Sequence, residues 1–329
     1  MAKNNNLHAA KAAKNDEFYT RYVDIENEIQ KSSNGYRPFF KDKVVYCNCD
    51  DPEESNFWKY FKNVFDILKL KKLISTHYDK DGESSYKLEY DGKRVVKTEL
   101  EGNGDFRSKE CIELLKESDI VVTNPPFSLY REFVAQLIAY DKKFVIWANN
   151  NSVTYKEIFP LIKNNKMWLG CTCNKSCAFA VPENYKYDEK ITNKIHRAQE
   201  KNGGKNDGKH YGVVPAISVF TNLDIPKRHE PIESAWEYEK GKELGLYPKY
   251  DNYDAINIDK VCQIPLDYDG VMGVPITFLD QYCPEQFEIV GHEHDINGNM
   301  GIGVLHGQFE VNGQGKYKRI LIRKKSGNN

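Results

Sequence analysis

The stretch DIVVTNPPFSLY, residues 119–130, decides the fold. Ile120-Val121-Val122 is a short apolar run bounded by turn residues, the pattern of a strand buried on both faces. Asn124-Pro125-Pro126-Phe127 ends it. The two prolines fix φ and remove two backbone donors, so no ladder continues through them. REFVAQLIAYD (131–141) then reads as a helix and KFVIWA (143–148) as the next buried strand. A strand, a helix and a second strand in this order place the two strands parallel.

Working outward, the pattern repeats. Val44-Val45-Tyr46 and Lys72-Leu73-Ile74-Ser75-Thr76 read as strands, and SYKLEYDGKRVV as a hairpin turning at Asp91-Gly92. DEFYTRYVDIENEIQ (16–30) is a loop running into a helix, and GDFRSKECIELLKESD (104–119) is a loop followed by a helix. Asp51-Pro52-Glu53-Glu54 has the form of a helix start, with Asp51 as N-cap, Pro52 at the first position and Glu54 at the third. Phe57, Tyr60, Phe61, Val64 and Phe65 recur behind it at helical spacing. AFAV (178–181) and VPAISVF (214–220) complete the strand set. The expected class is α/β, a mostly parallel sheet with helices on both faces. After about residue 226 the pattern changes to short strands with turns. The expected domains are a mobile arm (1–15), a main domain (16–225) and a C-terminal region (226–329).

The chain has 329 residues, 40% of them hydrophobic, which is enough to build a core. Lys plus Arg (47) nearly equals Asp plus Glu (48), so any basic footprint must be local. The N-terminus lacks the apolar segment of a signal peptide, and no run approaches the roughly 18 apolar residues of a membrane span. The expectation is a cytoplasmic protein whose eight cysteines are reduced thiols. Cys171, Cys173 and Cys177 lack the pair-and-pair spacing of a zinc site, and no metal is expected. His292, His294 and Asp295 lie among Asn and Gly and read as a solvated loop.

In an open parallel sheet, ligands bind outside the carboxyl ends of the strands. There the Asn124 side-chain oxygen and the Pro125 carbonyl are two stiffly held acceptors. Two converging acceptors suit an NH₂ group, and Phe127 supplies a flat apolar face beside it. An exocyclic amine on an aromatic ring is a poor nucleophile, because its lone pair is delocalised. Accepting both hydrogens stabilises positive charge developing on that nitrogen, the inverse of an oxyanion hole. Neither metal nor strong base is needed. The bland alternative, a strand-ending turn with a buried Phe, accounts for NPPF alone but not for the ordered set of motifs around it.

DEFYT (16–20), VVYCNCDDP (44–52), GDF (104–106), TNPPFS (123–128), MGVPITFLD (272–280) and YKRILIR (317–323) together resemble the EcoRI-type adenine-N6 DNA methyltransferases. The resemblance runs from about residue 16 to about residue 325. It implies a Rossmann-like fold dependent on S-adenosylmethionine, with a C-terminal DNA-recognition region. It also implies that Asn124, Pro125, Pro126 and Phe127 form the catalytic motif. Phe18, Tyr19, Thr20, Asn48, Cys49, Asp50, Asp51 and Pro52 would bind the cofactor, with a helix N-terminus favouring its carboxylate. Asp105 would accept from the cofactor's adenine amine, with Phe106 beside that ring. The glycine-rich loop common in this fold is replaced by CNCDDP, a feature of the EcoRI-type branch. The ribose contact stays open.

The implied substrate is double-stranded DNA, with the target adenine flipped out. RNA adenine or protein glutamine methylation, and a non-catalytic DNA-binding protein, are the alternatives. Lys205 and Lys209 lie in a segment (186–210) with seven Lys/Arg against four acids; Lys318, Arg319 and Arg323 lie in an acid-free basic run. These five are the candidate DNA contacts. A monomer is expected, functionally paired with a restriction endonuclease.

Overall fold

The structure is a computed structural model and describes residues 19–30, 35–49, 51–79, 84–173, 175–181, 210–293 and 308–325. The expected arm 1–15, Phe18, Asp50, Lys205, Lys209, His294 and Asp295 lie outside the described residues. Ten strands form the main sheet: β1 (Tyr19–Thr20), β2 (Val44–Cys47), β3 (Lys72–His77), β4 (Tyr86–Tyr90), β5 (Val95–Glu99), β6 (Ile120–Thr123), β7 (Lys143–Asn149), β8 (Trp168–Leu169), β9 (Lys175–Val181) and β10 (His210–Thr221). β2 and β6 are buried at every position, as their unbroken apolar runs require.

The order is β1-β9-β10-β7-β6-β2-β3-β4-β5, with β8 paired to β10. The middle four strands, β7, β6, β2 and β3, are parallel. The parallel arrangement expected from the sequence is this centre; antiparallel strands extend it on both sides. The β4–β5 hairpin turns where expected: the Asp91 carboxylate accepts from the amides of Lys93 and Arg94, both at 2.9 Å.

Five strand spacings separate β1 from β2, about 24 Å in a flat sheet. Yet β1 reaches the helix that follows β2, since Asn56 Nδ2 donates to the Thr20 carbonyl at 2.8 Å. The sheet therefore coils back over that helix, and a bulge in β10 between Val214 and Ile217 adds curvature.

The helix after β2 spans Asn56–Asn63 and buries Phe57, Trp58, Tyr60 and Phe61. Its cap is not Asp51. Ser55 caps it, accepting from the Phe57 amide at 3.1 Å, and residues 52–54 form a turn. The helix start expected at Asp51 is thus four residues early. The Asp51 side chain is engaged elsewhere, as described below.

The chain forms two compact units, Met1–Ser152 with Leu169–Leu223, and Val153–Trp168 with Asp224–Asn329. In the second, β11 (Ile256–Asn257), β12 (Met272–Pro275), β16 (Arg319–Lys324) and β13 (Phe287–His292) form a four-stranded sheet. β14 (Phe309–Val311) pairs with β15 (Gln314–Lys316) as a hairpin. Tyr250, Ala255, Phe309, Val311 and Leu321 form a core cluster there. These are the short strands and turns expected after residue 226. Among the described residues no helix is long and apolar enough to cross a membrane, and no cluster of His, Cys, Asp or Glu could hold a metal ion.

Candidate active site

The carboxyl ends of β6, β2 and β3 align. Tyr46 pairs with Val121, and Cys47 with Ser75. Continued by that register, Asn124 and His77 stand level with Cys49, one residue beyond Asn48, along one edge at strand spacings of about 4.8 Å.

Asn124 is buried, with Pro125 also buried and Pro126 and Phe127 half-buried. The Pro126 carbonyl accepts from the Leu129 amide at 2.9 Å, and the helix Tyr130–Ala139 starts directly behind. The motif is thus a short rigid link between a buried strand and a helix that buries one face, Tyr130, Phe133, Val134 and Leu137.

Asn48 is 3% exposed, and neither atom of its amide has a hydrogen-bond partner. The Thr20 hydroxyl is in the same condition at 1% exposure. A buried polar group left unsatisfied costs roughly 1–3 kcal/mol. Both belong to the segments expected to hold the cofactor, and both fit a polar ligand that would satisfy them. Cys49 is half-buried and Pro52 buried beside them.

Asp51 organises the turn after β2. Its Oδ1 accepts from the Glu53 amide at 2.9 Å and from the Tyr86 hydroxyl at 3.3 Å. Its Oδ2 lies 3.2 Å from His77 Nδ1. Tyr86 stacks on His77, with centroids 5.0 Å apart, and Lys97 Nζ sits 3.6 Å from the Tyr86 ring centre. A polar cavity of about 420 Å³ opens here, lined by Asp51, Glu53, His77, Ser85, Tyr86 and Lys97 among others. Because the helix begins only at Asn56, the helix N-terminus expected to face a carboxylate at Asp51 is not there.

The Gly104-Asp105-Phe106 loop is strapped to the end of β3. Asp79 N–H donates to the Asn103 carbonyl at 2.9 Å. Gly104 has φ +74, and a Cβ there would lie 2.1 Å from the His77 carbonyl oxygen. Only glycine permits this approach. Asp105 is held by Arg107, whose amide and Nε reach Oδ1 at 2.9 and 2.8 Å and whose Nη2 reaches Oδ2 at 2.6 Å. These hydrogen bonds hold the Asp105 carboxyl below its usual range against the opposing effect of burial. Phe106 is buried edge-on against Phe133 at 5.2 Å.

The first unit thus brings Asn48, Asp51, Asp105 and Asn124 to one sheet edge, and Asn56 draws Thr20 to the helix behind β2. His77, Tyr86 and Arg107 were not singled out from sequence. His77 closes a strand and Arg107 follows the expected acid by two, but neither carries a motif of its own.

The basic run near the C-terminus lies on β16 and the turn before it. Arg319 is largely enclosed in the second unit, donating to Asn257 Oδ1 at 3.0 Å and Asp259 Oδ1 at 3.2 Å. Arg323 pairs with Glu288 at 3.2 Å. Lys318 lies beside Tyr317, which is 65% exposed.

The family model described as "Adenine-specific methyltransferase EcoRI" matches residues 6–325. The chain belongs to this EcoRI adenine-specific methyltransferase family. It is 48% identical to the Type II methyltransferase M.EcoRI of Escherichia coli, across 98% of both chains. It is 42% identical to the Type II methyltransferase M.MpnI of Mycoplasma pneumoniae, across 96% of this chain and 97% of that one. It is 40% identical to the Type II methyltransferase M.MgeORF184P of Mycoplasma genitalium, with the same coverage. No solved structure matches the chain. Family membership makes it an adenine-specific methyltransferase, and the family's activity requires a methyl donor.

Proposed function

We infer that the chain is a site-specific DNA methyltransferase acting on the N6 amine of an adenine flipped out of duplex DNA, with S-adenosylmethionine as donor. The observation that carries the reading is the sheet edge itself. The rigid Asn124-Pro125 acceptors stand one strand from the buried, unsatisfied Asn48 amide.

On this reading the fold is Rossmann-like, with helices on both faces of the sheet. Residues 16–225 bind cofactor and carry out the chemistry, and residues 226–329 recognise the target. Asn48 and Thr20 bind polar groups of the cofactor, Asp51 frames their turn, and Asp105 accepts from its adenine amine. Bound there, S-adenosylmethionine supplies an electrophilic methyl group on a sulfonium. Asn124 and the Pro125 carbonyl accept the two hydrogens of the target amine, so the nitrogen can pyramidalise. They hold the positive charge that develops on it, and the excess proton leaves to solvent. Phe127 stacks on the extruded base. In the second unit, Lys318 and the exposed Tyr317 are the phosphate-facing pair, while Arg319 and Arg323 hold the frame. The protein works as a cytoplasmic monomer alongside a restriction endonuclease of the same specificity.

The test is expression in a host lacking adenine methylation, followed by sequencing of plasmid DNA for N6-methyladenine. Methylated adenine at one recurring short sequence is expected. Unmodified plasmid from cells containing folded protein would overturn the reading.

A further inference from the structure

The Arg107 guanidinium is anchored at both ends by carboxylates of the candidate site's own elements. One end grips Asp105, at 2.6 and 2.8 Å. The other lies 3.3 Å from Glu132, on the helix that directly follows the Asn124–Phe127 motif. The residue therefore spans the loop before that strand and the helix after it.

The lone pairs on Asp105 can be counted. An ionised carboxylate offers about four acceptor positions, two on each oxygen. Oδ1 accepts from the Arg107 amide and from Nε, and Oδ2 accepts from Nη2. Three positions are filled and one, on Oδ2, is left. The fork fixes the plane of the carboxylate, which a lysine's single ammonium could not do. It also favours the ionised form, which can only accept.

We propose that Arg107 is the positioning residue that makes Asp105 selective for a 6-amino purine in the cofactor, leaving one acceptor aimed for one N–H and none able to donate. A 6-oxo purine would meet an acceptor with an acceptor, and an unsubstituted purine would leave the position empty. The proposal rests on Asp105 facing the cofactor's adenine, so the experiment separates the two claims.

The probes are S-adenosylhomocysteine and its analogue lacking the 6-amino group, titrated calorimetrically into the full-length protein. The proteins are wild type, Asp105→Asn, Arg107→Met, Arg107→Lys and the Asp105→Asn/Arg107→Met double variant. Hydrogen bonds to charged groups are worth enough to predict a loss of roughly tenfold or more in S-adenosylhomocysteine affinity for Arg107→Met. The des-amino analogue should bind that variant as it binds wild type. Arg107→Lys should fall between, and the double variant should be no weaker than Asp105→Asn alone. With the arginine gone, the Asp105 carboxyl returns toward its ordinary range, so binding by Arg107→Met should fail at a higher pH than wild type as the solution is acidified. If Asp105→Asn weakens binding and Arg107→Met does not, Arg107 has no such role and the Asp105 reading stands. If Asp105→Asn binds like wild type, Asp105 does not face the adenine. Equal losses for both ligands in Arg107→Met would show a role in loop folding alone and overturn the proposal.

Discussion

Replacing Gly104 by alanine tests the placement of the cofactor loop. Two costs can be separated. At φ +74 an L-residue is in the left-handed region, which costs roughly 1–2 kcal/mol. The new Cβ would also stand 2.1 Å from the His77 carbonyl oxygen and 3.2 Å from Tyr78 Cα. Ordinary contact begins at 3.4 Å, so backbone must give by about 1.3 Å. Overpacking of this kind typically costs a further ~1–3 kcal/mol. Gly245 is the control: its φ is +72, with nothing within 4 Å of a built Cβ. Gly245→Ala should bear only the torsional cost. Gly104→Ala should lose more stability, about 2–5 kcal/mol in total, measured by urea unfolding. Because Asp105 is the next residue, the variant should also bind S-adenosylhomocysteine at least tenfold more weakly, since a displacement near 1 Å can cost ~10²-fold at a site. Gly245→Ala should bind normally. Equal unfolding curves for the two variants, with wild-type affinity in both, would refute the strapping of this loop to the end of β3.

Phe127→Ala should slow methyl transfer and be partly rescued by DNA with a mismatched, loosely stacked target adenine, whereas Phe127→Tyr should be tolerated. Stacking on a ring is worth about 1–3 kcal/mol, comparable with the cost of extruding a base, and equal defects on matched and mismatched DNA would contradict this. Burial pushes the Glu293 carboxyl up to about 7 from 4.5. A raised folded pKa gives stability that is full below pH 4.5 and is lost as pH rises through about 7, so Tm should fall across that window more steeply in wild type than in Glu293→Gln. Parallel Tm profiles would remove Glu293 as the cause. Lys318→Ala should lower the slope of log K for DNA against log salt by roughly 0.9 with little change in Tm. Arg319→Ala should chiefly lower Tm, since its guanidinium is held by Asn257 and Asp259; the reverse pattern would exchange their roles.

The parallel centre was legible because β2, β6 and β7 are unbroken apolar runs, as strands buried on both faces must be. The hairpin was legible because Asp91-Gly92 dictates its own turn. β1 was not, since Tyr19–Thr20 is two residues long and its pairing with Phe179 and Ala180 lies far along the chain. The helix start is ambiguous in the sequence because Asp51 and Ser55 are both good caps. What decides between them is Tyr86 and His77, which occupy the Asp51 carboxylate from distant strands. Likewise the partners of Arg319 and Arg323, Asp259 and Glu288, lie 60 and 35 residues away, where no local pattern in the basic run could reveal them. The candidate site was legible as motifs, and Arg107 was not, because a one-residue role conferred by a neighbour's lone pairs leaves no pattern.

The central claim is that Asn124 serves the amine as it reacts. Its direct test is the single-turnover rate of methyl transfer to pre-bound duplex DNA by Asn124→Ala, alongside its affinities for DNA and S-adenosylhomocysteine. A group that acts more in the transition state than in the ground state should affect rate and not binding. The expected result is a rate lower by roughly 10²–10³, as for loss of one preorganised partner, with both affinities near wild type. A wild-type rate would reduce Asn124 to a turn residue at the end of β6 and contradict the account.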